Sequence, residues 1–158
     1  MDKFRVFYEK HKDKLFAYLM RMTGDYFLST DIMQESFTRY LEHYREQSLS
    51  ASLLYTIARN SLFDHGRRQG RNAQFEREQG SCSRDQEHDL MLREEYRQVL
   101  LALNKLEKKE RDILALAVSG DLSYKEIASI AGISEANVKV KVHRARLNLR
   151  KILSTGDL

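Results

Sequence analysis

Apolar residues recur at helical spacing along almost the whole chain, and no segment alternates with the period of a strand. Residues 2 to 22 predict a first helix, with Phe4, Phe7, Leu15, Tyr18, Leu19 and Met22 turned inward and Thr23-Gly24-Asp25 as its stop. A second helix is expected from about Leu28 to Tyr44, burying Leu28, Ile32, Phe37, Tyr40, Leu41 and Tyr44. After a polar break at 45–50, a third runs from about Ala51 to Arg68, with Leu54, Ile57, Ala58 and Leu62 inward. It is expected to end in Gly66-Arg67-Arg68-Gln69-Gly70-Arg71, because glycine weakens a helix while arginine suits its C-terminus. Farther on, Leu92, Tyr96, Val99, Leu100, Leu103 and Leu106 mark a helix, and residues 108–118 mark another.

The last third of the chain has the most specific pattern. Ser123 and Glu126 have capping-box spacing, so a helix starts there and runs to about Ile130, with Ile127 and Ile130 inward. Gly132 falls in a short turn, and Ser134 opens a second helix whose apolar stripe is Val138, Val142, Ala145, Leu149 and Ile152. This is helix-turn-helix spacing. The flanks of the second helix carry Lys139, Arg146 and Arg150 on one side and Asn137, Lys141, Arg144 and Asn148 on the other, with only Glu135 opposing them. Such a helix can rest its stripe on a small domain while its flanks meet phosphates and base edges. A solvated amphipathic helix with a cationic end would share the charge, but not the capped partner helix or the turn glycine.

Composition narrows the class. The 158 residues include 27 Lys and Arg, 23 Asp and Glu, no Pro and no Trp, for a net charge of +4. That fits an all-α protein, and the clustering of its cations says more than their sum. No apolar run approaches the roughly 20 residues that cross a bilayer, and the N-terminus has no signal-peptide core, so a cytoplasmic protein is expected. Residues 72–91 lack apolar periodicity and are expected to form a flexible acidic linker between a domain at 1–71 and another at 92–158. Within the linker, Cys82, Asp85 and His88 are too few and too irregularly spaced to predict a metal site, and one cysteine allows no internal disulfide. No cofactor is expected. Walker A, HExxH, G-x-S-x-G and G-x-G-x-x-G patterns are missing, so an enzyme is not expected.

Three segments together resemble the extracytoplasmic-function sigma factors of bacterial RNA polymerase. STDIMQESFTRYL (29–41) is similar to the core-binding segment of region 2, and LLYTIARNSLFDHGRR (53–68) to the promoter-melting segments that follow it. LEKKERDILALAVSGDLSYKEIASIAGISEANVKVKVHRARLNLRKIL (106–153) resembles region 4. The resemblance implies a three-helix region 2 and a four-helix region 4 with the helix-turn-helix. It implies that Asp31, Gln34 and Glu35 dock on the clamp helices of the polymerase β′ subunit, with the β subunit as a further partner. The polar face that holds them (Asp31, Gln34, Glu35, Thr38, Glu42) would otherwise pass for ordinary surface.

By the same resemblance, Asn60, Asp64, Arg67 and Arg68, with Tyr55 and Arg59 nearby, handle the melted "minus-ten" element of promoter DNA. Aromatic stacking and an Arg-lined track suit that task. Ser134, Glu135, Asn137, Lys141 and Arg144 would read the "minus-thirty-five" duplex, and Lys139 and Arg146 would contact phosphate. An anti-sigma factor and association with the nucleoid through bound polymerase are further implications. Three positions depart from the family: Leu53 where Trp is frequent, Gly66 for Leu, and Val140 for Ser, which offers a methyl contact to thymine. A LuxR-type regulator shares the 108–134 pattern but not the first half, and a non-transcribing sigma mimic shares the surface but not the need for an intact basic helix.

Overall fold

The computed structural model describes residues 2–44, 48–76 and 93–156, and among these it contains seven helices and no strand. They are α1 Lys3–Thr23, α2 Tyr26–Tyr44, α3 Ala51–Glu76, α4 Glu94–Asn104, α5 Lys108–Ala117, α6 Tyr124–Ala131 and α7 Glu135–Thr155. Helices α1–α3 pack together, as do α4–α7, which is the all-α, two-part architecture that the periodicity predicts. Most of the expected linker lies outside the described residues, as do Cys82, Asp85 and His88.

In the first group, Asp2 caps α1 by accepting a hydrogen bond from Phe4 N at 3.0 Å, and Gly24 ends it at φ 66°. The α1–α2 corner is drawn tight by Thr23 Oγ1 and Ser29 Oγ, 2.9 Å apart, and by Asp25 Oδ1 accepting from Leu28 N. Ser29 and Ser36 are both fully buried, Ser36 donating to Ile32 O at 2.6 Å. Small hydroxylated residues therefore belong to the inner stripe of α2, with Ile32, Phe37 and Tyr40. This turns the helix so that Leu41, expected inside, is 40% exposed. Tyr40 ties α2 to α3, accepting from Ser50 N at 2.8 Å and donating to Ser48 O.

Helix α3 continues to Glu76 instead of stopping near Arg68. Gly66 and Gly70 each cost it only about 0.5–1 kcal/mol relative to Ala, and no proline interrupts the residues that follow. In the second group the capping box is complete. Ser123 Oγ accepts from Glu126 N at 3.1 Å while Glu126 Oε1 accepts from Ser123 N at 2.9 Å. Gly132 takes φ 71°, and Ser134 caps α7 through Asn137 N. Val138, Val142 and Ala145 are buried against α4, α5 and α6. Val99, expected inside α4, is 36% exposed, the inner face there being Leu100, Ala102 and Leu103.

The two groups also pack on each other: α1 lies against α4 and α5, and α3 against α6. The seam is polar at two points. Asp112 of α5, 3% exposed, accepts from the Tyr18 hydroxyl at 2.9 Å and from Arg59 Nε and Nη2 at 2.9 and 2.8 Å. Asp121, just before α6, accepts from the Tyr55 hydroxyl at 2.9 Å and lies 3.4 Å from Lys14 Nζ. His11 Nδ1 is 3.1 Å from the same carboxylate, in a geometry that makes no hydrogen bond. Buried carboxylates are tolerated only when paired, so each fixes its partners across the seam.

Candidate nucleic-acid interface

Helix α7 presents its cations outward. Its stripe anchors it, which leaves Ser134, Glu135, Asn137, Lys139, Val140, Arg144 and Arg146 exposed and Lys141 half-buried. At 21 residues the helix is about 31 Å long at 1.5 Å per residue, long enough to lie along a major groove. Ser134 Oγ accepts from Asn137 N as the N-cap, which leaves its O–H able to donate outward. Asn148 is occupied internally, donating to Glu110 Oε2 at 2.9 Å. The outermost line is Val140, His143, Arg144 and Leu147, with Val140 46% and Leu147 48% exposed. The sequence reading omitted His143 and Leu147, although i, i+3 and i+7 from Val140 places them on its face.

Helix α3 divides the six residues that the resemblance assigns to the melted strand between two environments. Asn60, Asp64, Arg67 and Arg68 are exposed, with Arg67 and Asp64 ion-paired. Asn60, Phe63, Asp64 and Arg67 line an open groove of about 500 Å³ whose far wall is Lys108 of α5. Phe63 has the Arg59 guanidinium 4.6 Å from its ring centroid and Lys108 Nζ at 4.9 Å, distances at which cations are attracted to the ring. Tyr55 and Arg59 are instead turned into the seam. Tyr55 is fully buried and Arg59 donates to Asp112 and, at 3.4 Å, to Ile130 O. Burial, with the Asp121 charge beside it, pushes the Tyr55 hydroxyl well above its ordinary value, so it stays a neutral donor. Burial and Asp112 do the same to Tyr18.

The third surface is on α2. Asp31, Gln34, Glu35, Thr38 and Glu42 are all exposed on one face, and the outward turn of Leu41 adds an apolar side chain to it. Glu35 is held by Arg39 at 2.6 Å one turn along. The structure thus brings the α2 residues together as one stripe and the α7 residues as another. It separates Tyr55 and Arg59 from the rest of the α3 set. Lys108, Asp112 and Asp121 were not picked out in sequence, since their roles arise from partners far away in the chain.

Comparison with known proteins accounts for both groups of helices. The family model described as Sigma-70 region 2 matches residues 7–72, and that described as Sigma-70, region 4, matches residues 96–149. The chain is 30% identical to RNA polymerase sigma factor YlaC of Bacillus subtilis over 95% of its length and 91% of that protein's. It is 29% identical to the ECF RNA polymerase sigma factor SigM of the same organism, with 94% of each chain covered. Its fold matches the sigma factor RpoE of Bartonella quintana, solved with the anti-sigma factor NepR, at a TM-score of 0.76 and 20% identity over 98% of each chain. Two matched regions in order, relatives aligned nearly end to end and the shared fold place this chain in the family of extracytoplasmic-function sigma factors of bacterial RNA polymerase.

Proposed function

We propose that this sigma factor binds core polymerase through α2 and carries it to promoters by reading one element with α3 and a second with α7. Asp31, Gln34 and Glu35, now with Leu41 beside them, form the surface offered to the clamp helices of β′. Asn60, Asp64, Arg67 and Arg68, joined by Tyr55 and Arg59 when uncovered, track the melted strand. Helix α7 takes the duplex element, with Lys139 and Arg146 on phosphates and Asn137, Lys141 and Arg144 at base edges. The chain performs no covalent chemistry in this scheme. It acts in the cytoplasm, and an inhibitory anti-sigma protein, of the kind bound to the structural neighbour, is its regulator.

The observation that carries the reading is that the basic outer face of α7 and the polar outer face of α2 are both open while their apolar stripes are buried. A plain helix-turn-helix regulator would need the first surface and not the second. Run-off transcription by purified core polymerase, on DNA from upstream of this chain's own gene, tests the proposal. Transcripts that depend on the chain support it. Co-elution with core but no transcript points to a different promoter, whereas no co-elution leaves a sigma mimic or a simple regulator.

A further inference from the structure

Tyr55 and Arg59 are candidates for contacting the melted strand, yet the second helix group covers both. What covers them is chemically particular. Arg59 presents Nε and Nη2 to one oxygen of Asp112, and the Tyr55 hydroxyl donates to Asp121 Oδ2. A guanidinium and a phenol take the same kind of partner from a nucleic-acid backbone, an anionic oxygen. Side-chain exposures of 5% for Asp112 and 2% for Asp121 show how completely the seam encloses these carboxylates.

We propose that Asp112 and Asp121 are an acidic latch that stands in for the promoter strand, so that closure of the chain and capture of single-stranded DNA compete for the same side chains. The proposal rests on the assignment of α3 to the melted strand. Of the six α3 residues assigned to the strand, Asn60, Asp64, Arg67 and Arg68 are the ones exposed in the closed chain. Opening releases Tyr55 and Arg59 together, because the two carboxylates sit on the same helix group and leave together. Lys14 adds a third hold on Asp121 at the rim of the seam, where its own side chain is 46% exposed. The coupling is reciprocal: anything that opens the latch strengthens strand binding, and a bound strand holds the latch open.

Asp112→Ala combined with Asp121→Ala tests this in the full chain. Closed, the double variant takes the carboxylate acceptors from the Tyr18 and Tyr55 hydroxyls and leaves Arg59 only its long 3.4 Å bond to Ile130 O; open, it leaves them in water. Only the closed form is penalised. Small-angle scattering reads the opening, from a radius of gyration near the ~15 Å of a compact chain of this length to a value at least about a fifth larger. Fluorescence anisotropy with a labelled single-stranded oligonucleotide reads the competition. The expected gain in affinity is about tenfold, since a closed majority taxes binding by its population.

Lys14→Glu provides a second variant whose site is half in solvent and outside both cores. It should open the chain in the same direction by setting a like charge beside Asp121. If neither variant enlarges the chain, the latch is overturned. If the chain enlarges and strand affinity stays within twofold, or no form binds the strand, the competition is overturned. Core binding by gel filtration, measured on the same samples, distinguishes these failures from failure of the sigma factor reading, because α2 lies outside the latch.

Discussion

The Tyr18 hydroxyl donates a 2.9 Å hydrogen bond to Asp112 Oδ1 across 94 positions of sequence, and neither side chain reaches solvent to any useful extent. This bond and the Arg59 pair divide the carboxylate of Asp112 between α1 and α3, so one α5 residue gauges the placement of both. Tyr18→Phe keeps the ring packing against Tyr55 and removes only the donor. Because Asp112 retains Arg59, the cost should be about 1–2 kcal/mol, that of a buried acceptor losing one of its partners. Urea unfolding monitored by circular dichroism measures it, and an unchanged midpoint would show that this bond contributes nothing net.

A second expectation concerns alkaline pH. Burial, then the neighbouring carboxylates, raise the pKa of both Tyr18 and Tyr55 above the ordinary 10.0, so the native chain favours their neutral forms. Their stabilising contribution is complete below about pH 10, where unfolded tyrosine is also neutral, and is lost as pH rises beyond it. Tyrosinate absorbance should therefore show Tyr18 and Tyr55 staying neutral until the structure opens, with Tyr96 also held above the ordinary value by its burial. In the Asp112→Ala/Asp121→Ala variant, Tyr18 and Tyr55 should titrate closer to the ordinary value. A wild-type curve in which all eight tyrosines rise together near the ordinary pH 10 would contradict the burial.

Two glycines should answer oppositely to one substitution. Gly132 closes α6 at φ 71° with open space for 4 Å around the place a Cβ would take, so Gly132→Ala meets backbone strain and no clash. A loss of about 1–2 kcal/mol is expected, the left-handed penalty of an L-residue. Gly66 lies inside α3 with the same open space and no positive φ. Gly66→Ala should stabilise by about 0.5–1 kcal/mol, through helix propensity and a less free unfolded chain. Thermal unfolding of both variants checks the signs, and two shifts in the same direction would refute the backbone argument.

The helix-turn-helix was legible in sequence because its signals are local. Ser123, Glu126, Gly132 and Ser134 act on backbone groups three or four positions away, so spacing alone conveys their roles. The stripe of α7 was equally plain, since Val138, Val142 and Ala145 repeat with the helix. Asp112 and Asp121 were not, because a carboxylate in KKERDILALAVSGD reads as surface until partners from α1 and α3 arrive. Leu41 was misplaced for a related reason: buried Ser29 and Ser36 rotate α2, and hydrophobicity gives serines no inward weight. The surface stripe on α2 was visible as a pattern, but its use was legible only through resemblance. Tyr55 and Arg59 show the limit from the other side, since the pattern placed them correctly on α3 and could not show what covers them.

The last prediction separates reading from holding on α7. Arg144 lies on the outermost line of the helix beside Val140, whereas Lys139 and Arg146 flank it; under the proposed function the first faces bases and the others face the phosphate rails. Loss of a phosphate contact releases one fewer counterion, which lowers the slope of log affinity against log salt by about 0.9 for each residue removed. Lys139→Ala and Arg146→Ala should each do this, weakening promoter and unrelated duplexes alike. Arg144→Ala should cost about 1–3 kcal/mol on the promoter duplex and much less on unrelated DNA, because a base-edge contact contributes only where the base is right. Val140→Ser, which trades an apolar contact for a hydroxyl, should shift preference at a single thymine and leave the salt slope unchanged. Anisotropy titrations at several salt concentrations give slope and specificity together. If Arg144→Ala lowers affinity equally on every duplex, that arginine is a phosphate contact, and base reading passes to Asn137 and Lys141 on the neighbouring flank.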